Sequence, residues 1–322
     1  MPGLSSLRSR LRLRTRLSGE RGATAVLVAV LLVPILGFAA IAVDVGALYA
    51  ERSRLQTAAD AAALAVARDC AVGACGDMQA TAQNLVSANV GEADAAPPQL
   101  GSNPSTVTVT GSNPVEHWFA PVIGLDSTQV SATATVAWGA PGGGTAALPL
   151  IFSLCEWNAQ TAGGLPSTTT QRTILFPKTS DTGCTGPNGL FVPGGFGWLE
   201  TGGSTCKATS RLGGLVDSEP GNNPSQGCTT GDFTRLQGKT VLLPIFDRSG
   251  STGNNAWYHV HGYAAFTITG YYFAGQYTWN SPCGGNDRCI RGYVRQYVEP
   301  SDAFFYDSTA PSLGAWILRL VR

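Results

Sequence analysis

An uninterrupted apolar run, ATAVLVAVLLVPILGFAAIAV, extends from Ala23 to Val43 and is first broken by Asp44. As a helix rising about 1.5 Å per residue it measures about 32 Å, enough to cross the hydrocarbon core of a bilayer. Water is absent there, so an isolated segment must cross as a helix to satisfy its own backbone. Pro34 and Gly37 fall in the middle of the run and predict a bend. Beyond Asp44 the chain stays helical in character but changes its pattern. VGALYAERSRLQTAADAAALAVAR contains neither Pro nor Gly between Ala47 and Arg68. Leu48, Leu55, Ala59, Ala62, Ala63 and Val66 recur near one face at helical spacings. Together the two stretches predict one long helix from Gly22 to Arg68, anchored in a membrane at its start and emerging from it at its end.

After that helix the periodicity shifts. DCAVGACG, from Asp69 to Gly76, supplies turn glycines at Gly73 and Gly76, and a second helical pattern runs from Asp77 to Val90 with Gly91 as its stop. From Ala96 the chain reads as strands and turns. Ser105–Gly111 alternates with period two; residues 115–124 predict a short helix ending at Gly124; Gln129–Trp138 alternates again. PGGGTAAL (Pro141–Leu148) has the composition of a linker. Beyond it, short apolar runs rich in aromatic and β-branched residues (LPLIFSLCEW, RTILFPK, KTVLLPIFD, WYHVHGYAAFTITGYYF, CIRGYVRQYV and GAWILRLVR) alternate with turns, and no amphipathic helical stretch is evident. An all-β sandwich or barrel-like domain is expected there. The whole is therefore an α+β chain: a long N-terminal transmembrane helix continuing outside the membrane, followed by a mainly β, disulfide-containing extracytoplasmic domain. The expected divisions are a basic cytoplasmic tail at 1–21, the helical region at 22–95, a small α/β segment at 96–140, a linker at 141–147 and the β domain at 148–322.

Charge orients this arrangement. The 322 residues carry 21 basic and 21 acidic side chains, but the balance is uneven along the chain. Arg8, Arg10, Arg12, Arg14, Arg16 and Arg21, with Glu20 as the single acid, precede the apolar run. A short basic tail before a first span places the N-terminus in the cytoplasm and the bulk of the chain outside. The tail has no apolar periodicity and is expected to be disordered. Its position beside the run accounts for it without nucleic acid, which is not an expected partner. All eight cysteines, Cys70, Cys75, Cys155, Cys184, Cys206, Cys228, Cys283 and Cys289, follow the run and read as a disulfide set from an oxidising compartment. Cys70 with Cys75 and Cys283 with Cys289 are natural local pairs, whereas the other four allow three pairings. No spacing among them is C-x-x-C, which disfavours zinc. A cleaved secretory leader competes with the anchor, since Ala40-Ile41-Ala42 offers a small-x-small site, but the apolar run exceeds a usual leader core.

The residues ERGATAVLVAVLLVPILGFAAIAVDVGALYAERSRLQTAADAAALAVA carry a specific resemblance. Arg21-Gly22-Ala23, the apolar run, Asp44-Val45-Gly46, Leu55-Gln56 and the alanine-rich stretch with Ala59 and Asp60 resemble the N-terminal module of the Flp (Tad) pilus-assembly TadG-like proteins. FAPVIGLDSTQVSATATVAWG looks like the segment that follows this helix in such proteins, so the resemblance covers residues 18–140 well and the remainder loosely. It implies a single-pass plasma-membrane protein of a bacterial type IV-like pilus system, acting through contacts with other pilus-assembly or envelope proteins. One departure stands out. If Gly22 were a prepilin-peptidase glycine, the fifth mature position would be Leu27 instead of the usual glutamate, so a retained anchor is favoured over a processed pilin.

Candidate chemistry does not assemble into a catalytic site. Asp247-Arg248-Ser249-Gly250-Ser251 has the D-x-S-x-S form of the metal site of von Willebrand factor A domains, which some TadG-like proteins carry; a carboxylate and two hydroxyls would suit Mg²⁺. That fold needs a helix next, whereas GNNAWYHVHGYAAFTITGYYF follows, so an ordinary turn is expected. His259 and His261 share one face of a strand, a spacing open to zinc, but bring no obvious carboxylate motif and read as ordinary strand histidines. No G-x-S-x-G and no G-x-x-x-x-G-K motif occurs. Neither a cofactor nor a small-molecule substrate is expected. Asp44 lies at the outer end of the run, an interfacial carboxylate and not an ion path. The small residues Ala39, Ala40, Ala42 and Gly46 offer a face for other spans. Trp257, Tyr258, Tyr263, Phe266, Tyr271, Tyr272, Phe273, Tyr277 and Trp279 are expected mostly in the β core. A glycan-binding or adhesive aromatic face is the alternative to the pilus-assembly reading, and an exported enzyme is a third.

Overall fold

The computed structural model of the chain describes residues 20–102, 105–176, 183–251 and 255–321. The basic tail expected at 1–21 lies outside them except for its last two residues, which begin α1 (Glu20–Ala71). The chain then runs through α2 (Met78–Asn89), β1 (Asp94–Ala95), β2 (Gln99–Ser102), β3 (Ser105–Glu116), a 3-10 turn (Ala120–Ile123), β4 (Ser127–Gly139), β5 (Pro141–Ala146) and β6 (Leu150–Ser153). There follow α3 (Leu154–Thr161), β7 (Arg172–Phe176), β8 (Phe196–Trp198), β9 (Ala208–Arg211), β10 (Leu215–Asp217) and α4 (Thr230–Thr234). The last elements are β11 (Thr240–Gly250), β12 (Trp257–Tyr272), β13 (Thr278–Trp279), β14 (Arg288–Arg295), β15 (Tyr297–Pro300), β16 (Phe304–Tyr306) and β17 (Ala315–Val321). The fold is α+β, with a long apolar helix first and a mainly β remainder.

Two compact units divide these elements: residues up to Ser53 together with Pro114–Val130, and Arg54–Asn113 together with the residues from Ser131 onward. In the first unit α1 continues without a break through Pro34. It is long and apolar enough to cross a membrane, with a mean hydropathy of 3.0 in its most apolar window and none of that window buried.

In the second unit the rest of α1 behaves in the opposite way. Leu55, Ala58, Ala59, Ala62, Ala63, Val66 and Ala67 are all fully buried. Alanine brings this helix close to the sheet, because a face without long side chains lets backbones approach. Gly111 of β3 meets Leu55 and Val86, where an added methyl would sit 3.5 and 3.4 Å from their side chains. α2, capped by the Asp77 carboxylate accepting from the Ala80 N–H, is tied down by Gln83, which donates to the Ala93 carbonyl and accepts from the Ala95 N–H. The sheet they pack on has the order β1-β3-β4-β17-β15, with β2 beside β3. β17, from the end of the chain, pairs antiparallel with β4, so the last residues complete the sheet begun at residue 94.

A second sheet, β7-β14-β12-β11-β6-β8, holds the main core. Its aromatic rings meet edge to face: Trp198 and Phe273 have centroids 4.9 Å apart, and Phe152 and Phe266 4.8 Å apart. Of the nine aromatics weighed as an adhesive face, Tyr263, Phe266, Tyr271 and Phe273 are buried and the other five are half-buried. All eight cysteines are paired. The local bridges Cys70–Cys75 and Cys283–Cys289 form as expected, and the four central cysteines resolve into Cys155–Cys184 and Cys206–Cys228.

Two expectations need correction. Of residues 141–147, read as a Gly-rich linker, Pro141–Ala146 form β5, the central strand of a three-stranded sheet ordered β16-β5-β9. The glycines serve close packing, not flexibility: a Cβ on Gly143 would lie 2.6 Å from the Phe305 ring. Helices also occur beyond residue 148. α3 is capped by Ser153, whose hydroxyl accepts from the Cys155 N–H, and buries Leu154, Cys155 and Trp157. α4 is a single turn closed by a Thr229–Asp232 capping box. Both are too short for their periodicity to stand out in the sequence.

Candidate functional site

The apolar part of α1 ends at Asp44, whose side chain is only 6% exposed. Its partners come from the turn between β3 and β4. The carboxylate accepts the Trp118 N–H at 2.9 Å through Oδ1 and the Ala120 N–H at 2.8 Å through Oδ2. The Phe119 N–H lies between the two oxygens, at 3.2 and 3.4 Å. These three donors open the 3-10 turn Ala120–Ile123, where a helix start leaves its N–H groups without internal partners. A carboxylate some 75 positions earlier in the chain thus caps that turn. Pro121 stands where a missing N–H costs nothing, and Gly124, at φ 83°, closes the turn in the left-handed conformation.

Further donors of the turn are also committed. The Val122 N–H donates to the Phe119 carbonyl, Gly124 to Pro121, Leu125 to Ala120, and His117 to Asp126 at the base. The His117 ring meets the Thr128 hydroxyl at 2.8 Å. What the turn presents outward is apolar: Trp118 is 79% exposed, Val122 91% and Ile123 77%. Phe119, Ala120, Val122 and Ile123 line one side of a groove, and Gly37, Ala40, Ile41 and Asp44 of the helix line the other.

The remaining motif residues have different surroundings. Arg21 and Gly22 lie in the first turn of α1, and a Cβ on Gly22 or on Gly46 would meet nothing within 4 Å. Leu55 and Ala59 belong to the buried alanine face. Gln56 donates to Asp60 at 2.8 Å and to the Thr133 carbonyl of β4 at 3.2 Å, linking the helix to the sheet edge-on. Asp44 is therefore a structural cap, a role its interfacial position suggested only in part. Nothing near it in sequence pointed to residues 118–120; the pattern there predicts only a short helix ending at Gly124, which is found as the 3-10 turn Ala120–Ile123.

The second group of candidates does come together. Asp247, on β11, receives His259 Nδ1 on Oδ1 at 2.6 Å; His261 Nδ1 lies 3.6 Å from Oδ2, and Arg248 Nε 3.7 Å from Oδ1. The register of β11 against β12 slips twice here, pairing Phe246 with Val260 and Arg248 with His259. Asp247 and His261 are the residues passed over, and such irregularities re-aim side chains. Burial lowers the His261 pKa below its ordinary value, outweighing the pull of Asp247 in the other direction, while His259 adds to the lowering. The D-x-S-x-S stretch is not the expected turn but strand through Gly250, and it is followed by β12, not by a helix. Among the described residues no group of three or more His, Cys, Asp or Glu is arranged to hold a metal ion. The cluster's geometry is that of a carboxylate neutralised inside a sheet.

Residues 22–69 match the model of the Tad family, described as "Putative Flp pilus-assembly TadE/G-like". The matched stretch contains Gly22, Asp44, Gly46 and the Leu55–Asp60 group, but neither Arg21 nor the later FAPVIGLDSTQVSATATVAWG segment that also carries the resemblance. Neither a curated protein nor a solved structure matches this chain. The family match supports a role in pilus assembly, and together with the apolar helix it supports attachment to a membrane.

Proposed function

We propose that this chain is a single-pass, membrane-anchored component of a Flp (Tad) pilus-assembly apparatus that works without catalysis. Its N-terminal tail lies in the cytoplasm, its helix crosses the plasma membrane, and its β domain meets pilus or envelope proteins outside. The observation that carries this reading is the coincidence, in residues 22–69, of the family match with an apolar helix whose large side chains from Val26 to Val43 are exposed. The basic tail before the helix supports the orientation. The three disulfides within the β domain, Cys155–Cys184, Cys206–Cys228 and Cys283–Cys289, support an oxidising compartment for it.

The test is deletion of the chromosomal copy and complementation with the full chain. Surface pili, counted by electron microscopy, are expected to disappear and to return on complementation. Normal piliation in the deletion strain, with loss of adhesion alone, would overturn the assembly role in favour of an adhesin.

A further inference from the structure

The turn Trp118–Leu125 is a loop whose composition suits lipid better than water. WFAPVIGL contains no ionisable side chain and no hydroxyl or amide; its one polar side-chain atom is the Trp118 indole nitrogen. Water-compatible groups bracket it: Glu116 and His117 on one side, Asp126, Ser127 and Thr128 on the other. A loop exposing Trp118, Val122, Ile123 and Leu125 to water would hold an unusual density of large apolar surface.

Its position decides what covers that surface. The groove it shares with α1 runs from Asp44 back to Gly37, seven residues or about 10 Å towards the start of the helix. The apolar run Ala23–Val43 is about as long as a hydrocarbon core of about 30 Å is thick. There is little slack: lifting Gly37 to the bilayer surface would drag Glu20 and Arg21 about 10 Å into hydrocarbon, which charged groups resist. Val122 and Ile123, which line this groove across from Gly37 and Ile41, therefore lie at acyl-chain depth whenever the helix spans. Their exposed surface adjoins that of Ile41, 62% exposed on the helix itself.

An irregular backbone normally excludes itself from lipid, because each unsatisfied N–H or C=O there is costly. Most N–H groups of this loop meet the objection. The N–H groups of Trp118, Phe119 and Ala120 are taken by Asp44, Pro121 has none, and those of Val122, Gly124 and Leu125 are bonded inside the turn. The charge of Asp44, the acid just beyond the apolar run, is solvated by those N–H groups in place of water. The arrangement explains why a carboxylate is kept at that depth.

We propose that Trp118–Leu125 is a second membrane contact, dipping into the outer leaflet with Val122 and Ile123 among the acyl chains and Trp118 at headgroup level, and clasped to the helix by Asp44. This rests on the reading of α1 as a membrane span, and the occupant of the exposed face is lipid. Such a contact restrains rotation of the helix about its axis.

The test uses the full chain in nanodiscs of phosphatidylcholine and phosphatidylglycerol, with a benzophenone amino acid replacing Val122 in one sample and Phe38 in another. Illumination followed by mass spectrometry is expected to give lipid adducts at both positions. Lipid at Phe38 with only protein adducts, or none, at Val122 overturns the loop contact and leaves the span standing. No lipid at either position overturns the span and this contact with it. As a second readout, Trp118 fluorescence, obtained as the difference between wild type and Trp118→Phe, is expected to be quenched by lipids brominated near the headgroup more than by lipids brominated at the chain end. Absence of quenching by either lipid overturns the proposal.

Discussion

One helix, α1, contains two stretches of similar apolar character and opposite behaviour. Between Ala23 and Val43 the large side chains point away from the chain: Leu31 is 54% exposed, Ile35 62% and Phe38 73%. Between Arg54 and Ala71 the small ones are buried, with Ala58, Ala59, Ala62 and Ala63 at 0%. In a water-soluble fold large apolar residues such as Leu, Ile and Phe are buried at least as often as alanine. The inversion shows that the two stretches face different surroundings. The first has side chains suited to a fluid hydrocarbon that needs no shape complementarity. The second has a thin face suited to a sheet that must come close.

The largest expected effect sharpens this contrast directly. Leu55→Ala should destabilise the second unit by about 2–5 kcal/mol, because it empties a fully buried site beside Gly111 and Val86. Leu31→Ala should leave the same unfolding transition unchanged. Urea unfolding of the detergent-solubilised chain, followed by near-ultraviolet circular dichroism, checks both; equal effects would break the comparison. A smaller loss is expected from Gln56→Ala, about 0.5–1.5 kcal/mol, since it removes the bonds to Asp60 and to the Thr133 carbonyl. The Thr133 carbonyl should then show the change as a shift in its carbon resonance.

The smallest effect is one of pH and lies in the Asp247 cluster. Burial lowers the folded-state pKa of His261 below its ordinary 6.5, against the opposing charge of Asp247 and with that of His259. Its contribution to stability is therefore present above pH 6.5 and is lost as pH falls from there through the lowered value. Glu299 works in the opposite sense in a more acidic window. Burial raises its pKa above 4.5, so its contribution is complete below pH 4.5 and is lost as pH rises through the raised value. Urea melts on either side of pH 6.5 should show the His261 loss in the wild type and a flatter profile in His261→Gln.

Much of the second unit was legible because its periodicities are long. Asp77 as a cap, Gly91 as a stop, and the alternations over 105–111 and 129–138 all mark elements that formed, since cap chemistry and period-two burial act within a few residues. The run at 141–147 misled for a physical reason. Glycine permits flexibility and also permits close approach, and only the presence of Phe305 and Phe304 across the strand reveals which of the two is used. α3 was hidden because eight residues give barely two turns of pattern, and its stability comes from burying Trp157, whose indole N–H donates to the distant Leu313 carbonyl.

The sequence by itself determined the long helix, the change of surroundings at Asp44, the β character of the later chain and the two local disulfides. Each of these follows from composition or from contacts a few residues apart. Tertiary structure alone decided the partners of Asp44, the pairing Cys155–Cys184 and Cys206–Cys228, the closure of the first sheet by β17, and the meeting of His259 and His261 with Asp247. Those contacts join residues from 12 to about 180 positions apart. The reason is the same in each case. A polar group or a strand edge can be satisfied by any suitable partner, so which partner it finds is set by the packing of the whole sheet and not by the residue's neighbours in the chain.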